Sequence, residues 1–253
     1  MKERDTLDRL IEMLCAERGE EAPVLPDERK ADFFRALCNV RPPLPVSEEF
    51  LRLQDEYLSA CVEERGVVDV DTLDYRGGIA LWRGDITRLN ADAVVNACNS
   101  ALLGCFSPLH GCIDNIIHSR AGVQLRLECN DIMHGGEEPN GRVRVTGAYN
   151  LPCKHVFHTV GPVVRGKVSA RDEKDLASCY VSCMDEAARM GLNTIAFCCI
   201  STGVFGYPKA EACRVAVRTV RERIAALGAA APKVIFDVFT EEDEDVYQRE
   251  LEK

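Results

Sequence analysis

Cys105, His110 and Cys112 lie in one short segment, Gly104-Cys105-Phe106-Ser107-Pro108-Leu109-His110-Gly111-Cys112. Two thiols and an imidazole are soft and borderline ligands that suit Zn²⁺. The spacing is not that of a zinc finger, and no second ligand pair follows closely. Three ligands leave one tetrahedral position open, the arrangement of a catalytic zinc site rather than a structural one. The competing reading is chance proximity, because the chain holds 13 cysteines. Asp114 follows directly, in the first turn of a segment whose Ile113, Ile116, Ile117, Ala121 and Leu125 form an apolar helix face. It sits beside the metal loop and at a helix N-terminus, where an acid also simply complements the dipole. His118, one turn on, reads as structural. His155 and His158 alternate on an expected strand and read as core or edge contacts. The remaining cysteines read as small core hydrophobes.

Three further segments carry polar groups at the ends of apolar runs. Val94-Val95-Asn96-Ala97-Cys98-Asn99 ends with two asparagines, which either cap a turn or hydrogen-bond a polar ligand; taken alone, capping is the stronger reading. Trp82-Arg83-Gly84-Asp85-Ile86-Thr87 places an acid in a turn, where an Asx-turn or helix cap is the ordinary explanation. The stretch from Ile200 to Pro208, ISTGVFGYP, is more specific. Its small residues and two glycines let backbone N–H groups approach an anion, and a helix starting near Pro208 adds its positive end. A phosphate is favoured there over an ordinary strand-to-helix turn. Gly161-Pro162-Val163-Val164-Arg165-Gly166-Lys167-Val168 nearly spells a Walker A loop, but Val168 stands where Ser or Thr should meet Mg²⁺, so it is rejected.

These residues need a scaffold. From residue 71 onward, apolar runs at 79–82, 93–97, 156–160, 194–199 and 234–238 read as buried strands. They alternate with expected helices at 112–128, 173–190, 208–227 and 242–252. In the third, Cys213, Ala216, Val217, Val220, Ile224 and Leu227 form one stripe, with Pro208 at its start and Gly228 at its end. This order predicts an α/β/α sandwich with a mostly parallel sheet and ligands at the carboxyl ends of the strands. Residues 1–70 read as three helices, marked by Leu7, Leu10, Ile11 and Leu14, by Phe33, Phe34 and Leu37, and by Phe50, Leu53, Tyr57 and Cys61. Ser47 is the expected N-cap of the third. Some 70 residues of helix bury little core alone, so they should dock on the rest.

Charge divides the chain in the same way. Of the net −10, residues 1–70 carry −7 and residues 241–253 carry −5, leaving +2 on the centre. The overall acidity argues against a nucleic-acid binder, while the centre can accept an anion. The opening MKERDTLDRLIEML has no apolar run of a signal peptide and no stretch is long enough to span a membrane, so a cytoplasmic protein with reduced thiols is expected.

The central segments resemble a macrodomain, the ADP-ribose-binding α/β/α fold. The matching motifs are GDIT (84–87), VNACN (95–99), the Asp114 helix, YNLPCKHVFHTVGP (149–162) and STGVFGYP (201–208), all in family order. Metal-free hydrolytic macrodomains carry a glycine run before the aspartate that matches Asp114. Here GCFSPLHGCID stands in its place, as in the zinc-dependent branch that hydrolyses protein-linked mono-ADP-ribose, and the helical extension also fits that branch. The resemblance implies a three-layer α/β/α macrodomain with a mixed central sheet over 71–253 and an N-terminal helical extension over 1–70. It implies that Asp85 accepts from the adenine 6-amino group beside the Ile86 backbone, and that Asn99 holds the distal ribose. Ser201, Thr202, Gly203, Val204 and Phe205 would cradle the diphosphate, and Phe239 would cover the adenine. Cys105, His110 and Cys112 would bind one catalytic Zn²⁺, with Asn99 and Asp114 orienting ribose and water. The partner would be a mono-ADP-ribosylated protein. Two alternatives share the nucleotide features: a reader that binds ADP-ribose without turnover, and an O-acetyl-ADP-ribose deacetylase.

Overall fold

A computed structural model describes residues 3–253. Three helices come first, α1 (Glu3–Glu17), α2 (Asp27–Val40) and α3 (Glu48–Arg65). The remainder contributes β1 (Ile79–Arg83), β2 (Ala93–Ala97), α4 (Ile113–Ala121), α5 (Val123–Met133), β3 (Val143–Gly147), β4 (His155–Thr159), α6 (Ala170–Arg189), β5 (Thr194–Phe197), α7 (Lys209–Leu227), β6 (Lys233–Val238) and α8 (Glu241–Leu251). The six strands form one mixed sheet in the order β1-β6-β5-β2-β4-β3. All neighbours are parallel except β3 and β4.

The parallel strands are buried almost throughout, as their continuous apolar runs require. The helices α6, α7 and α8 pack side by side, and their core is aromatic: Tyr180 lies 4.9 Å from Phe197, and Tyr247 lies 5.0 Å from Phe236. On the other elements, α4 packs on β2 and α5 on β3. The expected α/β/α sandwich with a mixed central sheet is therefore present. No helix among the described residues is long and apolar enough to cross a membrane.

Two elements differ from the sequence reading. The helix expected over 112–128 is broken in two at Gly122, whose φ of +98° belongs to no helix. The break is occupied: Gln54 of α3 accepts the Val123 N–H at 2.9 Å and donates to Gln124 at 2.6 Å. A Cβ at position 122 would lie 2.5 Å from the Gln54 amide. The second difference is β3, which sequence reasoning leaves out. It is an edge strand, half-exposed, with a charged residue at Arg144, so it has no buried run to announce it.

The three N-terminal helices dock as expected. Leu10, Ile11, Leu14, Phe34, Phe50 and Leu53 form their own apolar cluster, completed by Val123 of α5. Ser47 caps α3 by accepting the Phe50 N–H at 3.2 Å, and Phe34 meets Tyr57 edge-on at 5.5 Å. Each such side chain contributes about 1.5–3 kcal/mol when fully buried. The cluster is real but small, and it shares a wall with the sheet domain.

Candidate functional site

The strands β1, β2, β5 and β6 all run the same way, and the loops leaving their carboxyl ends enclose one cleft of about 1040 Å³. This is where open parallel sheets bind ligands, and the volume is that of a cofactor-sized pocket.

After β1, Asp85 caps a single 3-10 turn. One carboxylate oxygen accepts from the Thr87 N–H at 3.0 Å and the Thr87 hydroxyl at 2.6 Å. The other lies 3.8 Å from the guanidinium of Arg65 in α3. The Asx cap and a ligand role are thus compatible, since they use different oxygens. Ile86 is buried next to it.

After β2, Asn99 also caps a turn at the edge of the cleft. Its Oδ1 accepts the Ala101 N–H at 3.1 Å, while its Nδ2 donates to the Gly104 carbonyl at 3.1 Å and toward Asp114 Oδ2 at 3.3 Å. Asp114, only 5% exposed, receives a second amide from Asn96 at 2.9 Å. Burial raises the Asp114 carboxyl to about 6, against the Asn96 hydrogen bond and the Arg126 charge, which lower it. Behind it lies a buried group of His118, His158 and Cys129. His158 faces the Thr146 hydroxyl at 2.9 Å and Asn96 Nδ2 at 3.2 Å. Burial lowers both imidazoles, His158 to about 3, so they stay neutral. They support the site from within the core, as expected of His118 and His158.

After β5, Ser201 takes a left-handed φ of +66° and its carbonyl accepts the Tyr207 N–H at 2.9 Å. The turn that follows exposes Val204 at 74%. The N–H groups of Gly203, Val204 and Phe205 have no protein acceptor among the described residues, and the buried Ser201 hydroxyl has none either. Consecutive unpaired N–H donors in a turn are an anion-binding concavity. After β6, Phe239 is 79% exposed at the cleft mouth.

The metal candidates converge. Cys105 Sγ and His110 Nδ1 are 3.6 Å apart, and both lie within 4.8 Å of Cys112 Sγ. Zinc ligands at roughly 2.3 Å for sulfur and 2.0–2.1 Å for nitrogen, held at a tetrahedral angle, sit about 3.6 Å from one another. The Cys–His spacing fits that edge. All three residues are half-buried and line the cleft. Burial pushes the Cys112 thiol up to about 11, against the Asn115 N–H that lowers it. A nearby cation reverses that balance, as it does for any coordinating thiol.

The Macro domain family matches residues 95–216. A protein-ADP-ribose hydrolase of Treponema medium is 48% identical over 251 residues, covering 95% of each chain. This chain belongs to the macrodomain family. A second full-length relative, the protein-ADP-ribose hydrolase of Staphylococcus aureus strain MRSA252, is 46% identical over 250 residues and covers 96% of this chain and 93% of its own. Among solved structures, the Trypanosoma brucei macrodomain in complex with ADP-ribose superposes with a TM-score of 0.66 at 30% identity, over 85% of this chain and 94% of that one.

In this macrodomain the cleft thus gathers Asp85, Ile86, Asn99, Asp114, Ser201, Thr202, Gly203, Val204 and Phe205 with the three metal candidates. Sequence reasoning passed over two residues. Asn96, fully buried, does neither of the things expected of the pair, capping a turn or meeting a ligand: it holds Asp114. Asp237 lines the cleft from inside β6, with a buried carboxylate oxygen lacking a partner. Its signal was legible: an acid in the otherwise apolar strand Val234-Ile235-Phe236-Asp237-Val238 has no structural excuse.

Proposed function

We propose that this macrodomain is a zinc-dependent hydrolase that removes mono-ADP-ribose from modified protein side chains, chiefly Asp- and Glu-linked. The supporting observation is that three ligand atoms within 4.8 Å of one another, two of them at the 3.6 Å of a tetrahedral edge, open onto the same cleft as the Asp85 carboxylate and a run of unpaired backbone N–H groups.

Each residue then has a defined task. The Asp85 oxygen on the Arg65 side accepts from the adenine 6-amino group, while Thr87 fixes the carboxylate through the other oxygen. The unpaired N–H groups of Gly203, Val204 and Phe205 hold the diphosphate, with the Ser201 hydroxyl beside them. Asn99 is locked by Ala101 and Gly104, and its Oδ1 retains a lone pair for a hydroxyl of the distal ribose. Asp114, gripped by Asn96 and Asn99, orients that ribose and the attacking water with its remaining lone pairs. Cys105, His110 and Cys112 would hold the zinc ion, which supplies Lewis acidity worth several kcal/mol of charge stabilisation at the scissile end. Water adds across the ester bond, giving ADP-ribose and the side-chain carboxylic acid. Such an ester is easier to break than a glycosidic bond to arginine nitrogen, hence the preference.

The test is metal analysis coupled to hydrolysis of Asp-, Ser- and Arg-linked substrates. About one zinc per chain is expected, and Cys112→Ala should abolish release from an aspartate-modified protein while leaving ADP-ribose binding intact. Full activity in zinc-free enzyme or in that variant contradicts the proposal.

A further inference from the structure

We propose that Arg35 and Asn39 of α2 are positioning residues for the metal loop, so that the N-terminal extension forms the outer support of the zinc site. The inference rests on the zinc reading above and adds to it a role for residues outside the cleft.

Residues 104–112 form no helix or strand, and within the loop the single backbone bond is His110 N–H to the Ser107 carbonyl at 3.2 Å. A loop so poorly tied cannot by itself hold three ligand atoms at fixed spacing. Its ties come from elsewhere. Arg35 donates to the His110 carbonyl at 2.9 Å, directly on a proposed ligand residue. The same terminal nitrogen donates to Asn115 Oδ1 at 2.7 Å. Asn115 in turn uses its amide hydrogens on the Cys105 carbonyl at 3.2 Å and the Ser107 carbonyl at 2.9 Å. One guanidinium thus fixes the backbone at two ligand positions, His110 directly and Cys105 through one intermediary.

Asn39 supplies the third tie. It is buried, accepts the Leu109 N–H at 2.9 Å and donates to Ser119 at 2.9 Å. Leu109 has a φ of +56°, a conformation that L-residues keep only where their surroundings impose it. The Asn39 bond sits on the residue before His110 and imposes it. Arg126 of α5 closes the assembly, donating to the Leu103 carbonyl at 2.6 Å and the Cys38 carbonyl at 2.8 Å while its guanidinium stacks 4.4 Å from the Phe106 ring. Residues that orient metal ligands without touching the metal typically carry 10–100-fold in metal affinity.

The alternative is that these bonds only glue α2 to the sheet domain. Zinc affinity and fold stability separate the two. In the full-length protein, Arg35→Ala and Asn39→Leu should each lower zinc affinity by about 10–100-fold, read by competition with a chromogenic chelator. The zinc-stripped variants should melt a few degrees lower at most, as expected for a lost hydrogen-bond partner, and their affinity for free ADP-ribose should stay close to wild type. Asn39→Asp keeps the acceptor for Leu109 N–H and should retain zinc. Arg35→Lys keeps the charge but loses the fork, and should lose zinc nearly as Arg35→Ala does. Should Arg35→Ala fail to fold, the Asn39 pair decides alone. Zinc affinity within twofold of wild type in Arg35→Ala and Asn39→Leu, or a loss matched by Asn39→Asp, overturns the proposal. A wild-type chain that binds no zinc removes the underlying zinc reading; wild-type zinc binding with indifferent variants removes only the role of α2.

Discussion

Replacing Gly104 by alanine tests whether the entrance of the metal loop is set by close packing. Gly104 has a φ of +81°, which costs an L-residue roughly 1 kcal/mol. A Cβ there would lie 2.9 Å from Cγ and 3.0 Å from Cδ2 of His118. That imidazole is buried and cannot retreat into solvent. Overpacking of this kind costs about 1–3 kcal/mol, for a combined loss of about 2–4 kcal/mol. At roughly 2–4 °C per kcal/mol for a chain of this size, the melting temperature should fall by about 4–16 °C. The displaced backbone also carries the carbonyl that Asn99 holds at 3.1 Å and leads directly into Cys105, so zinc affinity should fall with stability. Calorimetry on zinc-free and zinc-loaded protein reads both. Gly111 is the internal control: it stands between His110 and Cys112, yet a Cβ there meets nothing within 4 Å and its φ is not left-handed. Gly111→Ala should stay within about 0.5 kcal/mol of the parent. A Gly104→Ala protein as stable as wild type, or a Gly111→Ala protein equally damaged, refutes the packing argument.

Asp85→Ala removes a carboxylate acceptor worth about 1.5–3 kcal/mol, so ADP-ribose affinity by calorimetry should drop roughly 10–150-fold, and unchanged affinity contradicts the adenine assignment. Gln54→Ala leaves the Val123 N–H without its acceptor at the start of α5. The loss should be about 1–3 kcal/mol in urea unfolding, and no loss would mean that Gly122 alone sets the break. Burial, reinforced by the neighbouring Asp85, holds the Asp237 carboxyl well above the ordinary carboxylate range. Such a group stabilises the fold fully only below its unfolded value of about 3.9 and loses that contribution as pH rises through the folded one. The melting temperature of Asp237→Asn relative to wild type should therefore increase between pH 5 and pH 7.5, and an offset constant with pH speaks against a raised Asp237.

What was legible in the sequence is what local spacing encodes. The buried parallel strands announce themselves as unbroken apolar runs, and Pro208 and Gly228 mark the ends of α7 because helix termini have fixed chemical demands. The clustering of Cys105, His110 and Cys112 was legible because all three sit on one loop. The turn after β5 was legible because a row of unpaired backbone N–H groups needs small residues in sequence. By contrast, β3 has too little burial to show a period, and the break at Gly122 is tied to Gln54, which comes from a different helix. Asn96 and Asp114 are 18 residues apart, and Asn96 and His158 are 62 apart. Their hydrogen bonds are products of the sheet order, which no local pattern contains.

The same distinction decides how the extension should be regarded. Its acidity and helical periodicity set it apart from the +2 centre, which makes it look like an appendage. Its contacts say otherwise: Arg35 reaches across 75 residues to the His110 carbonyl, Asn39 across 70 to Leu109, and Arg65 lies beside Asp85. These are polar contacts from one small helical unit to both the metal loop and the carboxylate after β1. Two of its polar bonds, made at the cost of desolvation, fall on the least regular loop of the domain, while others tie the adjoining α4 and α5. That pattern is expected of a support for the loop. The match of a relative over 95% of this chain, well beyond the 95–216 of the Macro domain family, fits the same reading, because the helical extension then accompanies the loop rather than being peculiar to this chain.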